Sequence, residues 1–328
     1  MMTYKPRIVV IGGGTGSFVI LSGLKSYDLD LSAVVTVADS GGSTGRLRSE
    51  FGFLPVGDIR QCLAALASEN AHNYIRQLLL YRFTKGEGLE GHNLGNLILT
   101  ALTDLTGSEP KAIEAASGIF RLKGAVYPVS LDRIDLVAYY EDGKRIVGEH
   151  RIDEPKHGGG KKITKLTSLR IARIYPVVRR TLLDADLVIL APGDLYTSLL
   201  PNIIVKGVSN VVQKMKAPLV YVMNLMTRYS QTDGLTASDH VKIIERYIGR
   251  KLDKILVNNI SLSQKILNLY GQEKASPVVD DLGRDLRVIK ANLLNRDLIL
   301  KSKSDILQRS LVRHDSQRVA RLLISLLK

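Results

Sequence analysis

Five short stretches of this 328-residue chain concentrate the residue types that hold phosphorylated, sugar-bearing ligands. They are Gly12-Gly13-Gly14-Thr15-Gly16, residues 39–45 followed by Arg46 and Arg48, residues 91–96, residues 192–202 and residues 224–232. Glycine lets a backbone take positive φ and bring its N–H groups close to an anion. Serine, threonine and asparagine add neutral donors, and arginine clamps phosphate or carboxylate oxygens in a bidentate fork. The candidate ligand-binding residues are Gly13, Gly14, Thr15, Asp39, Ser43, Arg46, His92, Asn93, Asn96, Gly193, Tyr196, Thr197, Asn202, Asn224 and Thr227.

A catalytic set is harder to find. There is no Gly-x-Ser-x-Gly elbow, no zinc spacing and no histidine–cysteine pair, and the single cysteine, Cys62, has the apolar neighbours of a packed helix position. Asp39 and Asp58 are the carboxylates placed to hold Mg²⁺ or to act as a base if the protein is an enzyme. Asp58 serves equally well as a helix cap, and a lone histidine such as His92 is more often structural than catalytic. No residue set specifies a metal site.

The elements that must position these stretches follow a parallel α/β grammar. Residues 7–11 are an apolar run that enters the first glycine cluster and then a helical pattern over 17–24, the order in which a buried strand hands over to a phosphate-holding helix N-terminus. Residues 31–37 form a second buried run ending at Asp39, where a dinucleotide-binding unit grips a ribose hydroxyl. Ser17 stands where the third fingerprint glycine belongs, which counts against an NAD oxidoreductase, and no P-loop Gly-Lys-Ser/Thr follows. Residues 55–60 open a helix that runs through 67, and helical spacing recurs over 71–83, 93–105 and 109–122. Residues 125–129, 135–140 and 144–150 read as short antiparallel strands with an Asp142-Gly143 hairpin turn. Further buried strands are expected at 187–190, 219–223 and 254–257, helices at 237–248 and 316–327, and residues 155–162 as an exposed, mobile basic loop.

The expected fold is therefore α/β, a Rossmann-like open parallel sheet with helices on both faces and a small inserted β lobe. The chain is expected to form a single domain over 1–328, with the lobe and its basic loop at approximately 125–174 and a basic C-terminal segment at 283–328 ending in a helix. Ligands of such sheets bind at the carboxyl ends of the strands, where every strong polar cluster here lies.

The net charge is +14, with 45% hydrophobic and 24% charged residues, a globular composition. Nine Lys/Arg against two acids at 150–180, and eleven against four at 283–328, hold the whole excess. These stretches carry one aromatic residue, Tyr175, so the stacking platforms of single-strand binders are missing and no sequence-specific nucleic acid is expected. A basic face that attracts an anionic ligand explains the charge. No apolar run reaches the ~18 residues of a membrane span, and no signal segment precedes the first strand, so a cytoplasmic location is expected.

The glycine motif at 12–16, Val-Ala-Asp-Ser-Gly-Gly-Ser-Thr-Gly-Arg-Leu-Arg at 37–48, Pro-Val-Gly-Asp-Ile-Arg-Gln-Cys-Leu at 55–63 and Gly-His-Asn-Leu-Gly-Asn-Leu at 91–97 resemble the bacterial gluconeogenesis-factor (YvcK-like) family. Pro-Gly-Asp-Leu-Tyr-Thr-Ser-Leu-Leu-Pro-Asn at 192–202 and Asn-Leu-Met-Thr at 224–227 agree. That family is related to the 2-phospho-L-lactate transferases (CofD-like), which join a phospholactate or phosphoenolpyruvate group to a deazaflavin using Mg²⁺. The resemblance implies a UDP-sugar-binding protein needed for growth on gluconeogenic carbon sources and for cell shape and wall synthesis, with no settled reaction. Its expected partner is a UDP-sugar or other phosphorylated nucleotide, and it leaves room for a homo-oligomer. Where the family usually has a second aspartate this chain has Ser40, and where it usually reads Gly-Glu-Thr this chain has Ser230-Gln231-Thr232. Losing two carboxylates weakens a Mg²⁺-dependent transferase and leaves nucleotide-sugar binding largely untouched.

Overall fold

The computed structural model describes residues 4–68, 74–155, 160–295 and 312–327. Its centre is β1 (Arg7–Gly12), paired in parallel with β2 (Asp30–Val35) through the register Ile8↔Leu31 to Gly12↔Val35. Every residue from Ile8 to Gly12 and from Leu31 to Val35 is buried. Since side chains alternate between faces, both faces of the sheet are covered by other elements, which is why these strands read as unbroken apolar runs.

The next strand, β3 (Ala125–Pro128), corrects the expectation that it opens an antiparallel lobe. It pairs in parallel with β2, from Ser32↔Ala125 to Val35↔Pro128, and forms the edge of the main sheet. Gly124, at φ 145, permits the entry, because a Cβ there would lie 2.5 Å from the Leu31 carbonyl oxygen. The lobe itself is β4 (Leu136–Tyr140), β5 (Arg145–Val147) and β6 (Ile163–Ser168), an antiparallel sheet in the order β5-β4-β6. Gly143, at φ 79, closes the β4–β5 hairpin as the Asp-Gly pair predicts. Residues 156–159 of the expected basic loop lie outside the described residues.

The chain then returns to the centre. β7 (Leu187–Leu190) pairs in parallel with β1, and β8 (Leu219–Val222), β9 (Lys254–Asn258) and β10 (Val288–Ala291) follow outward, giving the order β3-β2-β1-β7-β8-β9-β10. Strand β10 is not legible in the sequence. It is a half-buried edge strand with an exposed Lys290, so it lacks the continuous apolar run that marks the inner strands.

Three helices define the site's geometry: α1 (Gly14–Leu24), α2 (Gly42–Phe51) and α3 (Gly57–Leu66). A fourth, α4 (Tyr74–Leu80), ends three residues before the pattern expected over 71–83, whose residues 71–73 lie outside the described residues, and α5 (Leu94–Thr106) follows. Helices α1 and α2 begin inside stretches that the sequence assigns to loops, so the glycine clusters are themselves helix starts. The C-terminal helix (Ser316–Ser325) lies on α1 with Val319 and Leu323 fully buried. The two helices meet at Gly23, where a Cβ would stand 2.1 Å from the Ser316 carbonyl oxygen. Residues 296–311 of the basic C-terminal segment lie outside the described residues.

Candidate ligand-binding site

The strand order reverses between β1 and β7, so the turns leaving these two neighbours diverge and open a crevice at the carboxyl edge of the sheet. The β1 turn enters α1 through Gly13, which is extended, and Gly14, at φ 58. Gly13 has no side chain with which to cap α1 and no acid lies in the helix's own first turn, so the positive end of its dipole is open to groups from outside the helix, the Asp58 carboxylate beside Gly13 or an anion. Space is tight on both sides. A Cβ on Gly13 would lie 2.3 Å from Asp58 Oδ2, and one on Gly16 would lie 1.5 Å from the Pro192 carbonyl oxygen in the β7 turn. Ser17 is buried with its hydroxyl 2.6 Å from where a Gly12 Cβ would be, so serine takes the space that Gly12 leaves.

From this turn a polar arm runs over the β2 side. Asp39 Oδ1 accepts the Gly41 N–H at 2.9 Å, and Asp39 Oδ2 lies 2.3 Å from where a Gly57 Cβ would stand, beside Asp58. Thr44 Oγ1 borders the same Gly57 position and accepts from Asn96 Nδ2 at 3.3 Å. Asn96 Nδ2 also reaches Ser43 Oγ at 3.3 Å, and Ser43 Oγ is 3.2 Å from His92 Nδ1. Asn93 caps α5, its Oδ1 accepting the N–H groups of Gly95 and Asn96. Arg46 is exposed and donates to the Glu90 carbonyl at 3.1 Å, directly over Gly91. Burial, and then the Arg46 charge, holds His92 below the usual imidazole range.

A second arm runs over β7 and β8. Asn224 pins the Gly193 turn from both sides, donating to its carbonyl at 2.6 Å and accepting its N–H at 3.3 Å. The chain then makes one turn of π-helix, Leu195–Leu199. Tyr196 is buried there with its hydroxyl on the Ile163 carbonyl at 3.0 Å, tying the turn to the lobe, and burial pushes its pKa up. Fully buried Asn202 donates to the carbonyl oxygens of Gly12 at 3.1 Å and Ser198 at 2.8 Å, which locks the two turns of the crevice together. Thr227 bonds to Ser276, at 3.2 Å between hydroxyls, and so anchors a more distant loop.

Comparison with known proteins follows this geometry. A family model described as 2-phospho-L-lactate transferase CofD matches residues 8–299. A Bacillus subtilis protein named gluconeogenesis factor is 41% identical over 328 residues, covering 100% of each chain. The chain belongs to the gluconeogenesis-factor family. Another relative of that name, from Listeria monocytogenes, is 36% identical over 325 residues, covering 98% of this chain and 96% of its own. A crystal structure of a Bacillus halodurans protein superposes with a TM-score of 0.88 at 35% identity, covering 98% of this chain and 100% of that one.

Family motifs do not point to one part of the site, the contribution of the lobe. Asp153, in the short lobe helix Glu149–Asp153, has a side chain only 1% exposed. It accepts from Gln231 Nε2 at 3.0 Å and from Arg228 Nη2 at 2.9 Å. Gln231 then accepts the Tyr196 N–H at 3.1 Å and donates to Thr197 Oγ1 at 2.9 Å, while Arg228 Nε lies 3.8 Å from Asp194 Oδ1. The amide at 231 suits this network, since a glutamate would set a second carboxylate against that of Asp153. Ser40, the other departure from the family pattern, likewise meets the lobe: its N–H donates to Glu149 and its hydroxyl accepts the His150 N–H. Nothing in the local sequence signals Glu149 and Asp153, because their partners lie on loops far along the chain.

An open groove at the opposite, amino-terminal edge of β1 and β2, lined by Arg7, Lys25, Tyr27, Asp30 and Lys123 among others, contains none of these turns. Among the described residues no helix is long and apolar enough to cross a membrane.

Proposed function

We propose that the chain is a cytoplasmic nucleotide-sugar-binding protein whose ligand, a UDP-sugar, lies across the β1–β7 crevice, and that it supports growth on gluconeogenic carbon sources and cell shape and wall synthesis. The observation that carries the binding reading is the placement of the α1 N-terminus, led by Gly13 with no side chain of its own and Gly14 at φ 58, at the point where the strand order reverses. Phosphates would sit at Gly13, Gly14 and Thr15, with Asp39 on ribose or base and Arg46 beside them. The gluconeogenic role is drawn from the name of the relatives. Calorimetry with UDP-N-acetylglucosamine tests the pocket. Tight binding in the wild type and its loss in Gly14→Asp, which adds a carboxylate at the phosphate turn, are expected. Absent binding, or binding unchanged in that variant, ends the assignment.

A second reading, transfer of a phospholactate-like group from a nucleotide-activated donor, is favoured by the family model and by two carboxylates at the glycine turns, Asp39 against Gly57 and Asp58 against Gly13. Mg²⁺ is usually held by one or two carboxylates together with substrate phosphates and waters, so Asp39 and Asp58 fit it. Bound there, the ion would neutralise phosphate charge. The described residues hold no group of three His, Cys, Asp or Glu that converges as a metal cage. This reading requires Mg²⁺-dependent turnover that Asp58→Asn abolishes.

A further inference from the structure

The Ser43–His92 contact has the look of a nucleophile and its base, and counting hydrogen bonds argues otherwise. A serine hydroxyl has one hydrogen to donate and two lone pairs to accept with. Ser43 Oγ accepts the Asn93 backbone N–H at 3.2 Å and Asn96 Nδ2 at 3.3 Å, so both lone pairs are engaged. Only its hydrogen is left for the third partner, His92 Nδ1 at 3.2 Å. A hydroxyl with no free lone pair, in a residue 3% exposed, cannot attack a substrate. The same count assigns His92. Its Nδ1 must accept, so the ring proton is on Nε2.

The Asn96 orientation supports the count. As placed, its two amide hydrogens serve Ser43 Oγ and Thr44 Oγ1, both at 3.3 Å. Only the carbonyl oxygen of this 2% exposed residue then lacks a partner, whereas the reversed amide would put both hydrogens in that partnerless position, the costlier arrangement. The backbone fixes the ring's position as well: the His92 N–H donates to the Leu89 carbonyl and the His92 carbonyl accepts the Phe83 N–H, each at 2.9 Å. Among the described residues, His92 Nε2 has no hydrogen-bond partner.

We propose that Ser43 is a positioning residue that holds His92 in the Nε2–H form, so that the ring offers the ligand a neutral hydrogen-bond donor beside the Arg46 guanidinium. This rests on the reading that the crevice binds a phosphorylated ligand, and it assigns an oxygen acceptor of that ligand to His92. The ring is neutral at neutral pH because burial and the Arg46 charge lower its pKa, Arg82 adding to this and Glu50 opposing it. A neutral donor beside a fixed cation binds an anionic oxygen without placing two full charges together.

Long-range ¹H–¹⁵N spectra of the labelled full-length protein test this, the His92 signals being identified by their loss in His92→Gln. A protonated Nε2 and an unprotonated Nδ1 are expected without ligand. Saturating UDP-N-acetylglucosamine moves the Nε2 resonance. Ser43→Ala gives mixed tautomers and weakens binding about tenfold, the worth of one hydrogen bond, and Ser43→Thr, which keeps the hydroxyl, restores both. A proton on Nδ1 in the wild type overturns the proposal, and so does an unmoved Nε2 in a sample that calorimetry shows to be saturated. Failure of calorimetric binding instead removes the pocket reading and with it the ligand contact, while the ligand-free spectrum still decides the tautomer.

Discussion

The Asp153 carboxylate accepts a hydrogen bond from the Gln231 side-chain amide at 3.0 Å, joining the inserted lobe to the loop after β8. Through Gln231 the contact reaches the Tyr196 N–H and the Thr197 hydroxyl, so the lobe sets the shape of the π-helical turn beside the crevice. Asp153→Ala removes the acceptor for two donors, one of them the Arg228 guanidinium. Allowing for the 30% exposure of Arg228, a loss of about 1–3 kcal/mol is expected in urea unfolding. Ligand affinity should fall with it, because the π-helical turn loses its support. Unchanged stability and affinity would mean that the lobe is not coupled to the site.

Gly16→Ala tests the closeness of the two turns. The added Cβ would sit 1.5 Å from the Pro192 carbonyl oxygen, a backbone atom that cannot rotate away. Overpacking of this kind costs about 3 kcal/mol, and the midpoint of urea unfolding should drop accordingly. Ser17→Gly, which opens space beneath Gly12, should be far milder.

Asn202→Ala separates support from contact. The variant removes the buried side-chain donor shared by the Gly12 and Ser198 carbonyl oxygens, leaving Gly12 only the Thr36 N–H at 3.2 Å. A destabilisation of about 1–3 kcal/mol is expected, measured by chemical unfolding. Binding of UDP-N-acetylglucosamine should weaken through displacement of the Gly12–Gly14 turn, with the loss appearing chiefly in the dissociation rate.

Acid should weaken the fold through His314. Burial lowers this imidazole to about 4, with its Nε2 3.1 Å from the Met223 carbonyl oxygen. The folded pKa lies below the unfolded value of about 6.5, so the unfolded chain takes up the proton first. The stabilisation is complete above pH 6.5 and is lost as pH falls towards 4, a total of about 3–4 kcal/mol. Buried His240 shifts in the same direction. Urea midpoints between pH 7 and 4.5 should decline more steeply in the wild type than in His314→Gln.

Much of this was legible in the chain. The unbroken apolar runs of β1, β2 and β7 to β9 announce strands covered on both faces, and the glycine, asparagine and hydroxyl clusters after them mark the carboxyl edge. The sequence misplaced Ala125–Pro128, since four residues between two loops have no periodicity to tell a parallel edge from a hairpin. It also could not show that Ser43 and Thr44 open a helix rather than a loop, because Gly42 at φ 47 makes that turn possible only in one backbone geometry.

Local chemistry, then, was determined by the sequence itself: a glycine where backbone must pass positive φ, an asparagine where α5 needs a cap, an apolar run where a strand is buried. Neighbourhood was decided only by the tertiary structure. Strand order places β7 beside β1, so Asn202 reaches Gly12 and Pro192 presses on Gly16, and the lobe brings Asp153 to Gln231. Such contacts join residues dozens to nearly two hundred positions apart. They depend on which strands pair across the whole sheet, a choice made by collective burial and hydrogen bonding and not by any local pattern.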